Sequence, residues 1–344
     1  MTSGRKAVTV GVVGLGYWGP NLARNFAALE DCELRWCCDA SAERLEQWRG
    51  AFPGSLFTSS LDDLLADDGL DAVVIATDVP THAPLAIAAL GAGKHCFIEK
   101  PLAQSTSEAY EVIAAANGAD TTLMVGHLLE YHTGVAKLKE IVDSGELGDI
   151  RYVYSNRLNL GKIREAENAL WSLGAHDVSV LLHLLDEDPT EVLARGESFV
   201  RPGVEDVVFC YLRFPSGRIA HMHLSWLDPH KERRFTVVGS QRMATFDDME
   251  LDRKVTIYDK GFDPDFRNYG EYITRSGDVM SPHVSNEEPL RLECRHFVEC
   301  VRTGEEPRSG RASALRTVRV LEALQRSLEA GGAPQQLEAV AGRP

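Results

Sequence analysis

The chain predicts an α/β domain with a doubly wound parallel sheet, followed by an α+β domain with a large, mostly antiparallel, open-faced sheet. Three observations carry this. Over residues 8–125, short apolar runs rich in β-branched residues alternate with helical patterns, as in a parallel sheet covered on both faces. Beyond residue 150, strand patterns follow one another directly. At 344 residues the chain also exceeds the size at which one core usually stops growing, so two domains are expected, 1–127 and 128–335.

Taken in order, VTVGVV over 8–13 is the first strand, and a helical pattern starts by residue 21. A second strand over 33–38 ends at Asp39, and a helix follows over 42–52. Asp62-Asp63-Leu64-Leu65 reads as a short amphipathic helix within 60–68. The continuous apolar run 72–77 is a strand buried on both faces. A helix over 81–92 is closed by Gly93, and the strand over 95–98 runs into Glu99-Lys100-Pro101. A helix over 105–117 and a strand over 121–125 complete the first sheet, with the domain boundary near 126–130.

The second domain starts with a helix over 134–144 and a half-solvated strand over 150–156, whose residues alternate with period two. A helix spans 169–185. Strands are expected at 191–197, 207–214, 218–226, 235–239, 243–246 and 255–258, with a hairpin turn at Pro215-Ser216-Gly217. Residues 259–289 carry little regular pattern and read as an extended arm. Helices follow over 288–302 and 311–330, and the last dozen residues are expected to fray.

Composition narrows the function. The net charge of −15 argues against a nucleic-acid partner, which needs a basic surface. No apolar run approaches a membrane span, and the first residues lack a signal-peptide core, so no membrane partner and a cytoplasmic location are expected. Seven cysteines without a C-x-x-C pair read as reduced thiols.

Gly14-x-Gly16-x-x-Gly19 sits between a strand and a helix, the context that makes a glycine fingerprint evidence for dinucleotide binding. Gly14 permits the turn, Gly16 lets backbone approach a pyrophosphate, and Gly19 lets helix and strand pack closely. Asp39, 20 residues beyond Gly19, can accept from ribose hydroxyls and repel a 2′-phosphate, so NAD is expected over NADP. Tyr17 and Trp18 belong to the same turn. Thr77 and His82, with Glu99, Lys100 and Pro101, follow later strands, where open α/β sheets bind ligands, and are expected at the cofactor too.

Two side chains suit catalysis. Lys100, held extended before a proline, can aim its ammonium at a substrate oxygen or stand as a surface lysine at a strand end. His176, in Trp171-Ser172-Leu173-Gly174-Ala175-His176-Asp177, can take a proton near neutral pH or be a core histidine. His183 lacks a third ligand at a recognisable spacing, so no metal site is expected, and His221 and His223 read as sheet residues.

The glycine fingerprint, Glu99-Lys100-Pro101 and a mid-domain helical His together resemble the Gfo/Idh/MocA (glucose–fructose oxidoreductase / inositol dehydrogenase) family, over nearly the whole chain. Gly14-Leu15-Gly16-Tyr17-Trp18-Gly19-Pro20-Asn21, Ser155-x-Arg157-x-Asn159-Leu160-Gly161, His176-Asp177, Ser225-Trp226 and Tyr258-Asp259-Lys260-Gly261 resemble its nucleotide-sugar 3-dehydrogenase branch. Known members of that branch oxidise C3 of UDP-N-acetylglucosaminuronate and feed the 3-keto sugar to a PLP aminotransferase. The resemblance implies that Lys100 and His176 are catalytic and that NAD is the cofactor. Arg157, Asn159, Lys162, Trp171 and His176 would then bind a nucleotide sugar, with Arg164 a further cation near the diphosphate. It also implies a homodimer or homotetramer joined through the open sheet. Members often carry an Asp four residues before the catalytic His; here Ser172 stands in that place. Two rivals are a 3-ketoreductase acting on a dTDP-deoxysugar and a non-catalytic NAD-binding regulator.

Overall fold

The computed structural model describes residues 7–161, 163, 167–268 and 271–338, leaving aside the side chains of 263–268 and 271. The chain divides into two compact units, Met1–Tyr131 with Glu287–Val318, and His132–Asn286 with Arg319–Pro344.

The first unit begins β1 (Val8–Val13), α1 (Gly19–Ala27), β2 (Cys32–Cys38), α2 (Ala42–Arg49), β3 (Leu56–Thr58) and α3 (Leu61–Leu65). It continues β4 (Ala72–Ile75), α4 (His82–Gly91), β5 (His95–Glu99), α5 (Thr106–Ala119) and β6 (Leu123–Gly126). The six strands pair in parallel in the order β3-β2-β1-β4-β5-β6. The chain runs outward from β1 to β3 and then returns to β4 on the other side of β1. That reversal opens a crevice at the carboxyl ends of β1 and β4, the usual ligand site of such sheets. Every residue of β1, β4 and β6 is buried, which explains their unbroken apolar runs. Local capping agrees with the sequence: the Ser41 and Ser105 hydroxyls accept from the N–H groups of Arg44 and Glu108 at the starts of α2 and α5.

The second unit contains α6 (Thr133–Asp143), β7 (Ile150–Leu160), α7 (Ala175–Leu185), β8 (Glu191–Glu197), β9 (Val207–Arg213) and β10 (Ile219–Ser225). Then come β11 (Leu227–Gly239), β12 (Met243–Asp247), β13 (Val255–Asn268) and β14 (Glu271–Met280). After α8 (Pro289–Thr303) and α9 (Arg311–Glu329), β15 (Gln335–Gln336) adds an edge strand. Among the described residues the sheet has nine strands, ordered β14-β13-β12-β11-β7-β10-β9-β8-β15. Only the β7–β10 pairing is parallel. Side chains alternate across it: Val153, Ser155 and Arg157 are buried, while Tyr152, Tyr154 and Asn156 on the opposite face are half-buried. On that second face His221 stacks on Tyr154 and His223 on Phe209, with ring centroids 5.0 and 4.4 Å apart.

Several elements depart from the sequence expectation. Residues 287–318 pack with the first unit rather than the second, because Phe297 of α8 meets Phe26 and Phe97 edge to face at 6.1 and 5.6 Å in one of that unit's cores. Strand β7 runs on to Leu160, so Arg157 and Asn159 stand in the strand, not after it. Strand β11 starts at Leu227, well before residue 235. Most of the expected arm over 259–289 is the hairpin β13–β14. Most of its described side chains beyond Tyr258, such as Phe262, Tyr272 and Val279, are exposed, so no continuous buried face stamps a period on the sequence.

Candidate active site

The glycine turn is shaped by contacts that a side chain would break. Gly14 has φ +96°, and a Cβ there would fall 2.6 Å from the carbonyl oxygen of Ala76. A Cβ on Gly19 would lie 1.7 Å from the carbonyl oxygen of Gly14. Gly16 differs: the nearest atoms to a Cβ there belong to the Arg44 guanidinium, at 3.7 Å and beyond. That space is what a pyrophosphate approaching bare backbone requires, and the turn opens α1, with Pro20 in its first turn. These residues fit a dinucleotide. Tyr17 is 86% exposed, and its ring stacks on Trp18.

Asp39 closes the adjacent end of β2, only 6% exposed. Its carboxylate accepts from the Leu15 N–H at 2.7 Å and the Ser41 N–H at 2.8 Å, while the Arg44 guanidinium stands 3.5 Å away. A carboxylate has about four acceptor sites, so capacity remains for ribose hydroxyls. Arg44, not singled out in the sequence, offsets part of the negative charge that would repel a 2′-phosphate.

Beyond β4 and β5 the two turns are tied together. His82 is buried, with Nδ1 2.8 Å from the Pro101 carbonyl oxygen and Nε2 3.0 Å from that of Thr77. The ring therefore braces the turns carrying Thr77 and Lys100 and is enclosed by them. Burial, with the Lys100 ammonium nearby, lowers its pKa against the opposing pull of the two carbonyls. Thr77 Oγ1 accepts from Thr81 Oγ1 at 2.7 Å. The Lys100–Pro101 peptide is cis.

Lys100 is half-buried among groups that feel its charge. Burial pushes the Glu99 carboxyl up to about 7, against the pull of Lys100 and of hydrogen bonds from the Lys100 N–H and the Trp18 side chain. His127, just past β6, is pushed down to about 3 by burial and by Lys100. The sequence reading passed over His127, although it follows a sheet strand at the carboxyl edge, the position that marks ligand contacts.

In the second unit, His176 is the second residue of α7, half-buried, directly after a π-helical turn over Leu170–Gly174 that carries Trp171 and Ser172. Such turns concentrate at functional sites because they re-aim side chains. The backbone N–H of Trp171 donates to Asn168 Oδ1 at 3.2 Å. Ser172 is buried, so no carboxylate occupies this position. Arg157 is 7% exposed, and its Nε donates to Asp177, which is fully shielded from solvent. Strand β7 is thereby fastened to the helix start that carries His176. Asp177 is a second residue that the sequence underrated, its neighbour His176 having drawn the attention. Asn159 is half-buried near the end of β7. Lys162 and Arg164 lie outside the described residues.

A doubly wound parallel sheet with a dinucleotide-type glycine turn, coupled to an α+β unit with an open antiparallel sheet, defines a two-domain nicotinamide-dependent oxidoreductase. Residues 8–127 match the oxidoreductase family with NAD-binding Rossmann fold, and residues 135–245 match the GFO/IDH/MocA C-terminal domain. The chain belongs to the Gfo/Idh/MocA oxidoreductase family. It is 30% identical over 252 residues to UDP-N-acetylglucosamine 3-dehydrogenase of Acidithiobacillus ferrooxidans, covering 73% of this chain and 77% of that one. A solved structure of an enzyme with that name and organism superposes with TM-score 0.83 at 25% identity, over 95% of this chain and 99% of the other. Myo-inositol 2-dehydrogenase of Thermotoga maritima is 26% identical over 309 residues, covering 87% of this chain and 89% of its own. GenD2 from gentamicin A biosynthesis, solved in complex with NAD, matches with TM-score 0.82 at 25% identity over 98% of each chain.

Proposed function

We propose that the protein oxidises the C3 hydroxyl of a nucleotide-activated hexose, a UDP-sugar, to the 3-keto sugar. The observation that carries this reading is the 30% identity with a UDP-N-acetylglucosamine 3-dehydrogenase across 73% of the chain. NAD, when held by the turn of Gly14, Gly16 and Gly19 and by Asp39, supplies the two-electron acceptor. Lys100 hydrogen-bonds to the reacting oxygen and stabilises its developing negative charge. His176 takes the hydroxyl proton. Arg157, Asn159, Lys162 and Trp171 bind the sugar and its diphosphate; the clasp on Asp177 makes Arg157 a fixed cation rather than a mobile one. A 3-keto product suits a PLP aminotransferase as the next enzyme. The aromatic open face of the second sheet suits a homodimer or homotetramer.

The test is a panel of UDP- and dTDP-hexoses with NAD, following NADH absorbance and trapping the ketone. Free inositols belong in the same panel, since an inositol dehydrogenase matches over 87% of the chain. Turnover of inositols but not of UDP-sugars would replace the nucleotide sugar with a free cyclitol.

A further inference from the structure

At one end of the second sheet four strands stop in line. Strands β7, β10 and β8 run the same way and β9 runs against them, with Leu158, Ser225, Val207 and Glu197 paired in a single row across all four. Arg157, clasped to Asp177 beside His176, stands one row inside that edge. What lies beyond the row gathers at the same end: Asn159 and Gly161 on β7 and after it, Trp226 after β10, and the loop 198–206 that joins β8 to β9.

Hydrogen bonds tie these pieces into one rim. The Gly161 N–H donates to the Trp226 carbonyl, and the Trp226 N–H to the Asp206 carbonyl, both at 3.0 Å. A Cβ on Gly161 would lie 3.0 Å from the Trp226 ring and 3.1 Å from the Asn159 amide, so those two side chains flank it. From the other side, the Ala169 N–H donates to the Glu205 carbonyl at 2.9 Å. Asn168 Nδ2 donates to Glu205 Oε2 at 2.7 Å and to Gln325 Oε1 at 3.0 Å. Asn168 Oδ1 accepts from the backbone of Trp171, in the π-helical turn that leads to His176. The loop therefore borders Asn159, Trp171 and His176, the residues read above as the sugar site.

This loop presents an aromatic ring on a fixed backbone. Asp206 is fully shielded from solvent, and its Oδ2 accepts from the N–H groups of Phe199 at 2.6 Å and Val200 at 2.9 Å. Phe199 itself is 71% exposed, and Arg201, two residues on, is exposed as well. A single exposed apolar side chain is ordinary. Phe199 differs because a buried carboxylate clamps its backbone at the rim of a site, so little freedom is left to lose when a flat ligand settles on it. A nucleobase offers such a ring a π face, and a diphosphate offers an arginine its charge. A free cyclitol has neither.

We infer that Phe199 is the platform on which the nucleobase of the substrate stacks, and that Asp206 is the positioning residue that holds it there. The inference rests on the reading of the substrate as a nucleotide sugar and names the residue that recognises its nucleotide half.

Binding tests it without turnover. UDP is titrated calorimetrically into the full-length protein saturated with NADH, which keeps UDP out of the dinucleotide turn. Phe199→Ala should weaken UDP roughly 5- to 100-fold, while Phe199→Tyr keeps the native affinity. NADH affinity and melting temperature should stay at the native values in both. Asp206→Ala should weaken UDP likewise, and Asp206→Asn, whose amide oxygen still accepts both N–H groups, should restore it. If Asp206→Ala does not fold, the two Phe199 variants decide. A Phe199→Ala protein that binds UDP as tightly as the native one would overturn the inference and leave the nucleotide-sugar reading standing. Native protein with no affinity for UDP would overturn that reading and the inference with it.

Discussion

Arg157 and Asp177 form a solvent-shielded ion pair one residue from His176, so the helix start bearing the proposed base is pinned to the central strand of the second sheet. Removing one partner strands a buried charge. Asp177→Asn or Arg157→Met should each destabilise the fold by about 3–5 kcal/mol, whereas the double variant should recover much of that loss. Thermal unfolding of the three proteins checks this. Additive losses in the double variant would show that the pair is not coupled.

The three glycines of the turn should separate fold from binding. Gly19→Ala places a Cβ against the Gly14 carbonyl and should unfold or strongly destabilise the first unit. Gly16→Ala meets only the Arg44 side chain at 3.7 Å, so its melting temperature should stay near that of the parent while NAD affinity falls at least tenfold. Equal loss of stability in both would remove Gly16 from the pyrophosphate site.

Asp39 and Arg44 are expected to set cofactor preference together. Asp39→Ser removes the repulsion of a 2′-phosphate and leaves Arg44 to attract it. The ratio of NADP to NAD affinity should rise roughly 10- to 100-fold, about 1.4–2.8 kcal/mol. In Asp39→Ser with Arg44→Ala most of that gain should vanish. A native protein that already prefers NADP would contradict the role given to Asp39.

The enclosed carboxyls make stability depend on pH in a definite direction. Glu130 is raised from 4.5 to about 8 and Glu99 to about 7, both chiefly by burial. Their folded-state values lie above the unfolded ones, so the stability gained by holding them protonated is complete below about 4.5 and is lost as pH rises through about 7–8. Asp248 is the opposite case: it is held near 2 by His132 and Arg233 against its own burial, and its contribution is lost only as pH falls through that value. Between pH 5 and 8 the slope should therefore be negative for the glutamates, up to about 1.4 kcal/mol per pH unit for one group, and Glu130→Gln should flatten it. Melting curves of native and variant protein that run parallel across that window would refute this.

Much of the first unit was legible because its chemistry is local. The strand–glycine–helix order, the Asp39 spacing and the fully apolar strands state the parallel sheet and its ligand edge in sequence. The catalytic candidates Lys100 and His176 were legible through the motifs around them. What escaped depends on partners far away in the chain. Phe297 draws α8 to the first unit through Phe26 and Phe97, which no local pattern announces. Glu293 belongs to no motif, and only its packing shows that it is buried. The bracing role of His82 was hidden because both its carbonyl partners are backbone groups, which leave no trace in residue types.

Lys100→Met should abolish turnover while leaving NAD affinity within a few-fold of native, if the turn and Asp39 hold the dinucleotide as proposed. His176→Asn should lower kcat roughly 100- to 10,000-fold. Steady-state kinetics with cofactor binding measured separately distinguishes the roles: a His176→Asn protein that keeps kcat but raises KM would make His176 a binding residue.

The central claim is oxidation at C3 of a nucleotide sugar. Purified protein incubated with UDP-N-acetylglucosamine or its C6-oxidised acid and excess NAD should form NADH stoichiometrically with a trapped ketone. With a substrate deuterated at C3, the label should appear in the NADH. Absence of NADH with every UDP- and dTDP-hexose, or label transfer from a carbon other than C3, would contradict the account.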